Sequence, residues 1–421
     1  MSADRKRPDP MKATSLLLVG LAGLVFAYLL AWLLAPGPVF EGPSLPADRF
    51  FDPALVERAQ DFRSDRRLIA LGSMAIEFGL LCFLAFYRGP PLNRAIRWLE
   101  RRPYRGAALA GAGIALLLTL VQLPLGYLSF DLGRDYGLIT QDLSGWLGDL
   151  ALSTLIGCVM AAIGALAAMW LWRKFKGRFW IAGSVLVIAY AALFVWLWPV
   201  VVSPLFNDYE PLPDGPVRAE VLRLADRAGV DVGEVYEVDA SRRSSTLNAS
   251  VTGIGSSKRV VIYDNAIERL SDEELSSLIA HELGHVESHD LYRGLGFAIL
   301  VIPFGVIFVQ IGTTLLVRRR GDEETGPGII PALALTIAVA SLVLSVPGNV
   351  LSRGIESHAD TFAIELTGDP QGMVGLQREL GKSNLTDPDP PGFYQYVFGT
   401  HPTIMDRISA AEAAKAGEEP Q

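Results

Sequence analysis

The sequence predicts a mainly α-helical membrane protein that crosses the bilayer about seven times and carries a smaller part with a short β-sheet. Hydrophobic residues make up 50% of the 421 residues and charged residues only 19%, and the mean hydropathy is +0.32. This composition is typical of a membrane protein. Apolar runs long enough for a helix of about 20 residues, the length that spans a bilayer, occur at seven places. They are residues 13–35, 67–87, 106–128, 149–172, 179–200, 291–317 and 328–350.

The first apolar run is predicted to be a retained membrane helix. A basic segment, Arg5–Arg7, precedes it, as in a signal peptide, but the run is longer than a signal core and no small-residue cleavage site follows it. The runs divide the chain into four parts. They are a five-helix membrane domain at 1–203, a catalytic segment at 204–290, helices six and seven at 291–350, and a C-terminal catalytic segment with a disordered tail at 351–421.

Charge and cysteine content exclude several classes of protein. The net charge of −8 gives no basic surface for nucleic acid, and the arginines cluster beside the apolar runs. Cys82 and Cys158 both lie inside apolar runs, so neither a disulfide framework nor a cysteine-based metal site is expected. The lipid bilayer is the first predicted partner.

The segment after the fifth run predicts a small mixed α and β unit. Residues 216–229 have helical spacing and end in a glycine, and a turn is expected at 253–257. Ser271 and Glu274 form a capping box that opens a further helix. That helix is predicted to run straight on into the sixth apolar run, which would place its side chains near the membrane surface. The predicted strands are Val235–Asp239, Leu247–Val251 and Arg259–Asp264.

The capped helix contains the string His281-Glu282-Leu283-Gly284-His285, although the chain has only five histidines. Residues four apart share a helix face, so both imidazoles can bind one zinc ion. Glu282 can reach water at that ion and act as a general base. The pattern predicts a zinc hydrolase with one Zn²⁺ per chain.

Two histidines leave a catalytic zinc ion one protein ligand short. A metzincin would have a histidine ten positions after His281, but that residue is Leu291, so this class is excluded. His289 lies one helical turn after His285, on a helix face that has rotated away from the first two histidines, and it is therefore assigned a supporting or substrate role. Glu356 is the better third ligand. Glu356 and Asp360 lie four apart just past a membrane helix, so one can bind zinc while the other hydrogen-bonds a ligand histidine. His401, before a proline, is a candidate donor to the oxyanion.

Together these residues resemble the integral-membrane zinc proteases typified by the CAAX prenyl endopeptidase, over residues 115 to 410. The zinc helix, the Arg353–Asp360 segment and the His401–Arg407 segment each resemble a family motif. Pro204–Asn207 and Tyr136–Ile139 are similar to two further ones.

The resemblance implies a seven-helix fold around a water-filled chamber with a zincin-like catalytic part. It implies zinc on His281, His285 and Glu356, with Glu282 as base. Asp360 and Arg353 would support the ligands, and His401 and Arg407 would contact substrate and transition state. Asn248 and Ala249 would pair with an extended peptide or protein substrate by strand addition.

The membrane side of the catalytic segments stays open. Arginines and lysines cluster in the loops after runs two, four and six, which the positive-inside rule assigns to the cytoplasm, with the catalytic segments outside. The resemblance implies the opposite orientation. The composition favours a bacterial inner membrane.

The leading hypothesis is a zinc endopeptidase resembling the CAAX prenyl proteases. A broad-specificity membrane quality-control protease would use the same chemistry. A membrane scaffold or sensor with structural zinc is the third hypothesis, but a closed structural site would need a fourth protein ligand, preferably cysteine.

Overall fold

The computed structural model describes residues 10–37, 44–87, 89–253, 258–320 and 325–417. These residues form fourteen α-helices and four β-strands. The helices are α1 (Pro10–Leu34), α2 (Pro53–Phe86), α3 (Pro90–Glu100), α4 (Pro103–Asp135), α5 (Leu143–Phe175), α6 (Phe179–Leu197), α7 (Pro216–Arg227), α8 (Asp264–Arg269), α9 (Asp272–Glu287), α10 (Asp290–Arg320), α11 (Ile330–Thr367), α12 (Pro370–Ser383), α13 (Gly392–Phe398) and α14 (Ile404–Lys415). The strands are β1 (Tyr209–Pro211), β2 (Glu234–Val238), β3 (Ala249–Thr252) and β4 (Arg259–Tyr263).

The membrane part consists of long apolar helices. Six segments of the described chain are long and apolar enough to cross a membrane. One of them, Leu143–Leu205, contains both α5 and α6, which a 3-10 turn at Lys176–Arg178 separates. Each of the seven predicted apolar runs therefore coincides, to within a few residues, with a different α-helix, where the backbone polar groups are satisfied as the bilayer requires. The prediction of a mainly helical, polytopic membrane fold is confirmed.

The membrane helices pack closely, and α11 occupies a central place among them. Helix α11 contacts α1, α2 and α10 within the membrane part and α9 beyond it. Helices α4 and α5 meet at Gly111, where an added β-carbon would lie 2.4 Å from the carbonyl oxygen of Ala161. Small residues at such crossings let two helix backbones approach without a hydrophobic driving force from water.

The sheet has the strand order β1-β2-β4-β3, which leaves β3 at an edge. Strand β2 runs parallel to β4, whereas β3 is antiparallel to β4 with Ala249 opposite Ile262. Two predicted strands match β2 and β4 closely. The third begins at Ala249 rather than at Leu247, because the Leu247 amide donates to the side chain of Asn384 instead of joining the sheet. Strand β1 was not predicted, and most of the predicted turn, 254–257, lies outside the described residues.

The core of the catalytic part forms between the sheet and α9. Val235, Val260 and Ile262 from the sheet pack in one cluster with Ile279 and Leu283 from α9. Alternate strand residues and one helix face supply these side chains, as their periodicities predict. The predicted capping box is present: the Ser271 hydroxyl accepts from the Glu274 amide, and the Glu274 carboxylate accepts from the Ser271 amide. These contacts fix the start and the rotation of α9.

The prediction that the zinc helix continues into the sixth apolar run is wrong. Helix α9 ends at Glu287, and α10 begins at Asp290 after a turn in which His289 has a φ of +60°. The break lets Asp290 turn back towards α9, where its carboxylate lies 3.0 Å from Nδ1 of His285. An acidic residue in the first turn also complements the dipole of α10. A single continuous helix would forgo both interactions.

Candidate active site

The site forms where α9 crosses α11. Gly284, inside the predicted zinc motif, lies against α11, and a β-carbon built there would be 3.0 Å from Phe362 Cδ1 and 3.3 Å from Ala359 Cα. The glycine therefore allows a close crossing of the two backbones. Because Glu356 lies one turn before Ala359 on α11, the crossing places its carboxylate beside the two histidines of α9.

The three predicted zinc ligands converge. Glu356 Oε2 lies 3.3 Å from His281 Nε2, Glu356 Oε1 lies 3.8 Å from His285 Nε2, and one ligand atom from each residue lies within 4.8 Å of the others. Zinc bound at about 2.1 Å needs donors roughly 3.4 Å apart, so little movement is required. Apart from the His281 imidazole, the buried Oε2 atom of Glu356 has no polar partner among the described residues. Two imidazoles and one carboxylate are a donor set typical of catalytic zinc, and the residues fit this ion.

Asp360 and Arg407 contact His281 on the Nδ1 side of its ring. Nδ1 of His281 lies 2.9 Å from Asp360 Oδ1, which turns Nε2 towards Glu356. Arg407 donates to both oxygens of Asp360, from Nε at 2.7 Å and from Nη2 at 2.5 Å. Burial lowers the pKa of His281, but the hydrogen bonds to Asp360 and Glu356 outweigh burial and raise it to about 10. These hydrogen bonds favour the protonated imidazole when no metal is bound.

Arg407 was expected from the resemblance to contact substrate and transition state. Two of its guanidinium nitrogens bind Asp360, and a third contact brings Nη2 to 3.5 Å from His281 Nδ1. Arg407 also lines the cavity in front of the site. Its strongest contacts hold Asp360 against His281, while Nη1 forms no hydrogen bond with the described residues.

The second histidine is held by a residue that the sequence analysis missed. Nδ1 of His285 lies 3.0 Å from Asp290 Oδ2, and Arg293 Nε donates to Asp290 Oδ1 at 3.2 Å. Arg293 also donates to the carbonyl oxygens of Leu34, at the end of α1, and Ser288. A carboxylate shortly after the second motif histidine was the available signal. This signal was missed because a continuous helix was assumed, and in such a helix a residue five positions after His285 points away from it.

Glu282 lies next to the ligand set and lines the same cavity as His281. Burial raises the pKa of this carboxyl, although His281 and His285 act in the opposite direction. A raised carboxyl pKa suits a group that must accept and return a proton near neutral pH. The position of Glu282 therefore fits a general base.

His401 approaches the site from the loop before α14. Its Nε2 lies 3.3 Å from Glu356 Oε1, and its Nδ1 lies 2.9 Å from the Thr400 hydroxyl. Arg353 on α11 donates to the Gly399 carbonyl at 2.5 Å, and the Gln395 side chain donates to the His401 carbonyl at 2.6 Å. Arg353 thus contacts the loop that carries His401 rather than the predicted ligands.

The structure does not bring His289 into the site. Its ring nitrogen lies 2.6 Å from the Glu287 carbonyl oxygen, and its ring packs near Tyr292. It is exposed in the turn between α9 and α10, and it is absent from the described lining of the cavity. The break after Glu287 explains this position.

Ala249 is the first residue of the edge strand β3, and Asn248 comes directly before it. The Tyr263 amide donates to the Asn248 carbonyl, so the next residue, Ala249, points its own backbone groups away from β4. Asn248 Oδ1 accepts from the Ala249 amide at 3.0 Å. Asn248 also lines the cavity that contains His281, Glu282 and His401. This cavity has a volume of about 620 Å³, which suits a short peptide segment rather than a folded domain.

The chain is similar to known proteins in both its membrane part and its catalytic part. The family model "Peptidase family M48" matches residues 211–415, and the model "CAAX prenyl protease N-terminal, five membrane helices" matches residues 43–208. "Uncharacterized metalloprotease YhfN" of Bacillus subtilis is 32% identical over 77% of this chain and 78% of its own. "CAAX prenyl protease 1 homolog" of Oryza sativa is 31% identical over 73% of each chain.

A solved structure shares the fold. The crystal structure of S. mikatae Ste24p matches with a TM-score of 0.77 at 21% sequence identity, and the match covers 94% of this chain and 98% of that one. The membrane helices and the catalytic part are thus both present in a known architecture. The chain belongs to peptidase family M48 and is a multi-pass membrane metalloendopeptidase.

Proposed function

We propose that the protein binds one zinc ion per chain on His281, His285 and Glu356 and hydrolyses peptide bonds with Glu282 as the general base. The observation that supports this most is the convergence of three donor side chains around a buried carboxylate oxygen that has no other partner among the described residues. A scaffold role with structural zinc has less support, since the described group holds three ligands and contains no cysteine.

The chain's own residues supply the proton transfers. Zinc supplies a Lewis acid that lowers the pKa of water and polarises the scissile carbonyl. Glu282 accepts a proton from the attacking water and delivers it to the nitrogen of the leaving amine. His401 Nε2 donates a hydrogen bond to the oxyanion that develops at the oxygen of the scissile carbonyl. Asp360 and Asp290 hold the two histidine rings in the tautomer that presents Nε2 to the metal.

The substrate is proposed to bind as an extended strand along β3. The outward carbonyl of Ala249 would accept a main-chain hydrogen bond from a peptide of any sequence, and the Ala249 amide would exchange Asn248 Oδ1 for a substrate carbonyl. Asn248, next to this edge, lines the cavity that also contains Glu282. A peptide paired with the edge would therefore place one of its peptide bonds near the proposed base. Only an unfolded segment fits this arrangement.

Membrane-associated proteins are the proposed substrate class, and the proposed location is a bacterial inner membrane. Several similar proteins are named CAAX prenyl protease 1, including that of Saccharomyces cerevisiae at 25% identity, and the Bacillus subtilis relative supports a bacterial role. A panel of prenylated and unprenylated peptides of one sequence would separate prenyl recognition from broad quality control. Equal cleavage of both forms would favour quality control.

Glu282→Gln provides the central test. The variant should retain zinc at the wild-type level, measured by metal analysis of detergent-purified protein, and lose fluorogenic peptide cleavage by roughly 10²–10⁴-fold or more. Glu287→Gln is the matched control, because Glu287 is exposed on the same helix and should leave both readouts unchanged. An active Glu282→Gln enzyme would refute the assigned base. A wild-type protein without zinc would refute the metal site.

A further inference from the structure

A second cavity lies where the sheet meets the end of α6 and the start of α10. Its volume is about 330 Å³, and none of its described lining residues lines the active-site cavity. Its apolar wall includes Trp196 and Val200, from the end of α6 and the turn after it, and Leu291 from α10. Its polar wall comes from the sheet, where Lys258 precedes β4 and Arg259 begins it. The cavity thus joins an apolar surface to two cations.

The second cavity lies at the level of the membrane surface. Helix α6 belongs to the apolar segment Leu143–Leu205, which is long enough to cross the membrane. Two residues near the end of this segment, Trp196 and Trp198, are 54% and 47% exposed, and Tyr292 near the start of α10 is 57% exposed. Exposed Trp and Tyr side chains concentrate at the boundary between acyl chains and headgroups. The apolar wall therefore faces the acyl chains, and the two cations lie at the depth of the headgroups.

Lys258 has no acidic partner. Its side chain forms no ion pair or hydrogen bond with any residue that the structure describes. The one carboxylate in the described lining of the second cavity belongs to Glu234, which accepts a hydrogen bond from Nη1 of Arg218 at 2.5 Å. Glu234 is therefore already neutralised by another cation, and the charge of Lys258 stays available for a ligand.

Arg259 is held in place by neutral groups. Its Nη2 donates to the Pro199 carbonyl, in the turn after α6, and its Nε donates to the Thr252 hydroxyl at 3.4 Å. Its guanidinium also lies 5.7 Å and 5.5 Å from the ring centres of Tyr209 and Tyr236. None of these partners is anionic, so the charge of Arg259 is fixed in position but not neutralised. A fixed guanidinium beside an unpaired ammonium suits a phosphate group.

Charge and depth together select the ligand. Free phosphate would pair with the two cations but would leave the apolar wall unused, whereas an anionic phospholipid matches both. Its phosphate would accept charge-assisted hydrogen bonds from Lys258 and Arg259, while its acyl chains would continue along Trp196 into the bilayer. The chain as a whole has a net charge of −8, so its general electrostatic attraction for anionic lipid is weak. A local basic site is therefore needed to hold such a lipid.

The second cavity is connected to the strand that is proposed to bind substrate. Arg259 lies opposite Thr252, the last residue of β3, and Gly253, the next residue, lines the cavity. Strand β3 has a neighbouring strand on one side only. A phosphate bound by Lys258 and Arg259 would hold this end of β3 against the membrane surface. An edge that is ordered beforehand loses less freedom when a peptide pairs with it at Ala249.

We propose that the second cavity binds the headgroup of one anionic phospholipid through Lys258 and Arg259, and that the bound lipid orders β3 and so strengthens substrate binding. The lipid site is independent of the proposed endopeptidase function, whereas the effect on substrate rests on it. Lys258 contributes to lipid affinity and not to the chemical step, because it lies outside the active-site cavity.

Lipid binding is measured by native mass spectrometry of detergent-purified protein titrated with phosphatidylglycerol or phosphatidylcholine. The first phosphatidylglycerol should bind about fivefold more tightly than phosphatidylcholine, the effect expected of one cation beside an anionic headgroup. Lys258→Gln should remove this preference, and Lys258→Arg should retain it. Lys174→Gln is the matched control, because Lys174 is exposed, lies outside the cavity and has its Nζ 4.5 Å from the Trp170 ring centre.

Inorganic phosphate at the same concentration as the lipid distinguishes the two sources of the anion. It should leave the lipid complex intact, because it has no acyl chain to contact the apolar wall. Displacement of phosphatidylglycerol by inorganic phosphate would overturn the lipid site. Equal binding of the two lipids, or a preference that survives Lys258→Gln, would overturn it as well.

The effect on substrate is measured by fluorescence anisotropy with an uncharged peptide and zinc-loaded Glu282→Gln protein in nanodiscs of phosphatidylcholine, alone or mixed with phosphatidylglycerol. Phosphatidylglycerol should lower the Kd of the peptide about fivefold. Adding Lys258→Gln should abolish this effect, and adding Lys174→Gln should preserve it. A Kd that does not depend on phosphatidylglycerol would overturn the link to β3. A lipid-dependent Kd without peptide cleavage by the wild-type enzyme would instead count against the proposed function.

Discussion

Arg353 and Gly399 connect two parts of the site that lie far apart in the sequence. The Arg353 guanidinium on α11 donates to the Gly399 carbonyl at 2.5 Å, two residues before His401. The same helix carries Glu356. The helix that carries Glu356, a proposed zinc ligand, therefore also fixes the loop that carries His401, the proposed oxyanion donor.

Arg353→Gln should impair catalysis without loss of metal. Removing the bond to Gly399 frees the His401 loop, and a displacement of about 1 Å at a reacting group can cost ~100-fold in rate. We expect kcat to fall by roughly 10- to 100-fold, while zinc content stays at the wild-type level. His401→Ala, measured in parallel, should lower kcat at least as much. Loss of zinc from Arg353→Gln would show that Arg353 supports the metal ligands instead.

Asp290→Asn should weaken zinc binding. The carboxylate lies 3.0 Å from Nδ1 of His285 and fixes its ring, and loss of such partners typically costs about 10- to 100-fold in metal affinity. Competition with a chromogenic chelator measures the change. Asp231→Asn is the control, because Asp231 is exposed in the loop before β2. Unchanged affinity in Asp290→Asn would mean that the contact has no role in metal binding.

Zinc binding to the metal-free protein should release a proton. The pKa of His281 is about 10 in the metal-free site, so the imidazole is protonated at neutral pH and must lose this proton to bind the ion. The apparent affinity should therefore rise as the pH increases towards 10. Calorimetry in buffers of different ionisation enthalpy counts the released protons. Zinc binding without proton release at pH 7 would contradict a protonated His281.

Gly284→Val should separate α9 from α11. A β-carbon at this position would already lie 3.0 Å from Phe362 Cδ1, and overpacking of this kind typically costs about 1–3 kcal/mol. We expect a lower melting temperature in detergent and weaker zinc binding, because Glu356 moves away from the histidines. Gly164→Val, where an added β-carbon meets no atom within 4 Å, serves as the glycine control. Equal behaviour of both variants would argue against a close crossing.

Local patterns predicted the parts of the molecule that depend on short-range chemistry. Helical spacing placed His281 and His285 on one face, and the capping box at Ser271 is present as expected. The break before Asp290 was not predictable from spacing, because the bond that stabilises it forms only when α10 folds back. The role of Arg353 was equally hidden, since its partner Gly399 comes from a distant loop. Tertiary contacts decide these features, and one sequence does not reveal them.

The proposed zinc ligands lie on α9 and near the end of α11, with the membrane helix α10 between them, and this order has a consequence for biosynthesis. During insertion into the membrane, His281 and His285 are translated before α10, while Glu356 is translated near the end of α11. His401 follows later still. The nascent chain therefore contains no complete hydrolytic centre until the last membrane helix has been inserted and folded against α9. We therefore expect the order of the proposed ligands along the chain to delay proteolytic activity until assembly is finished.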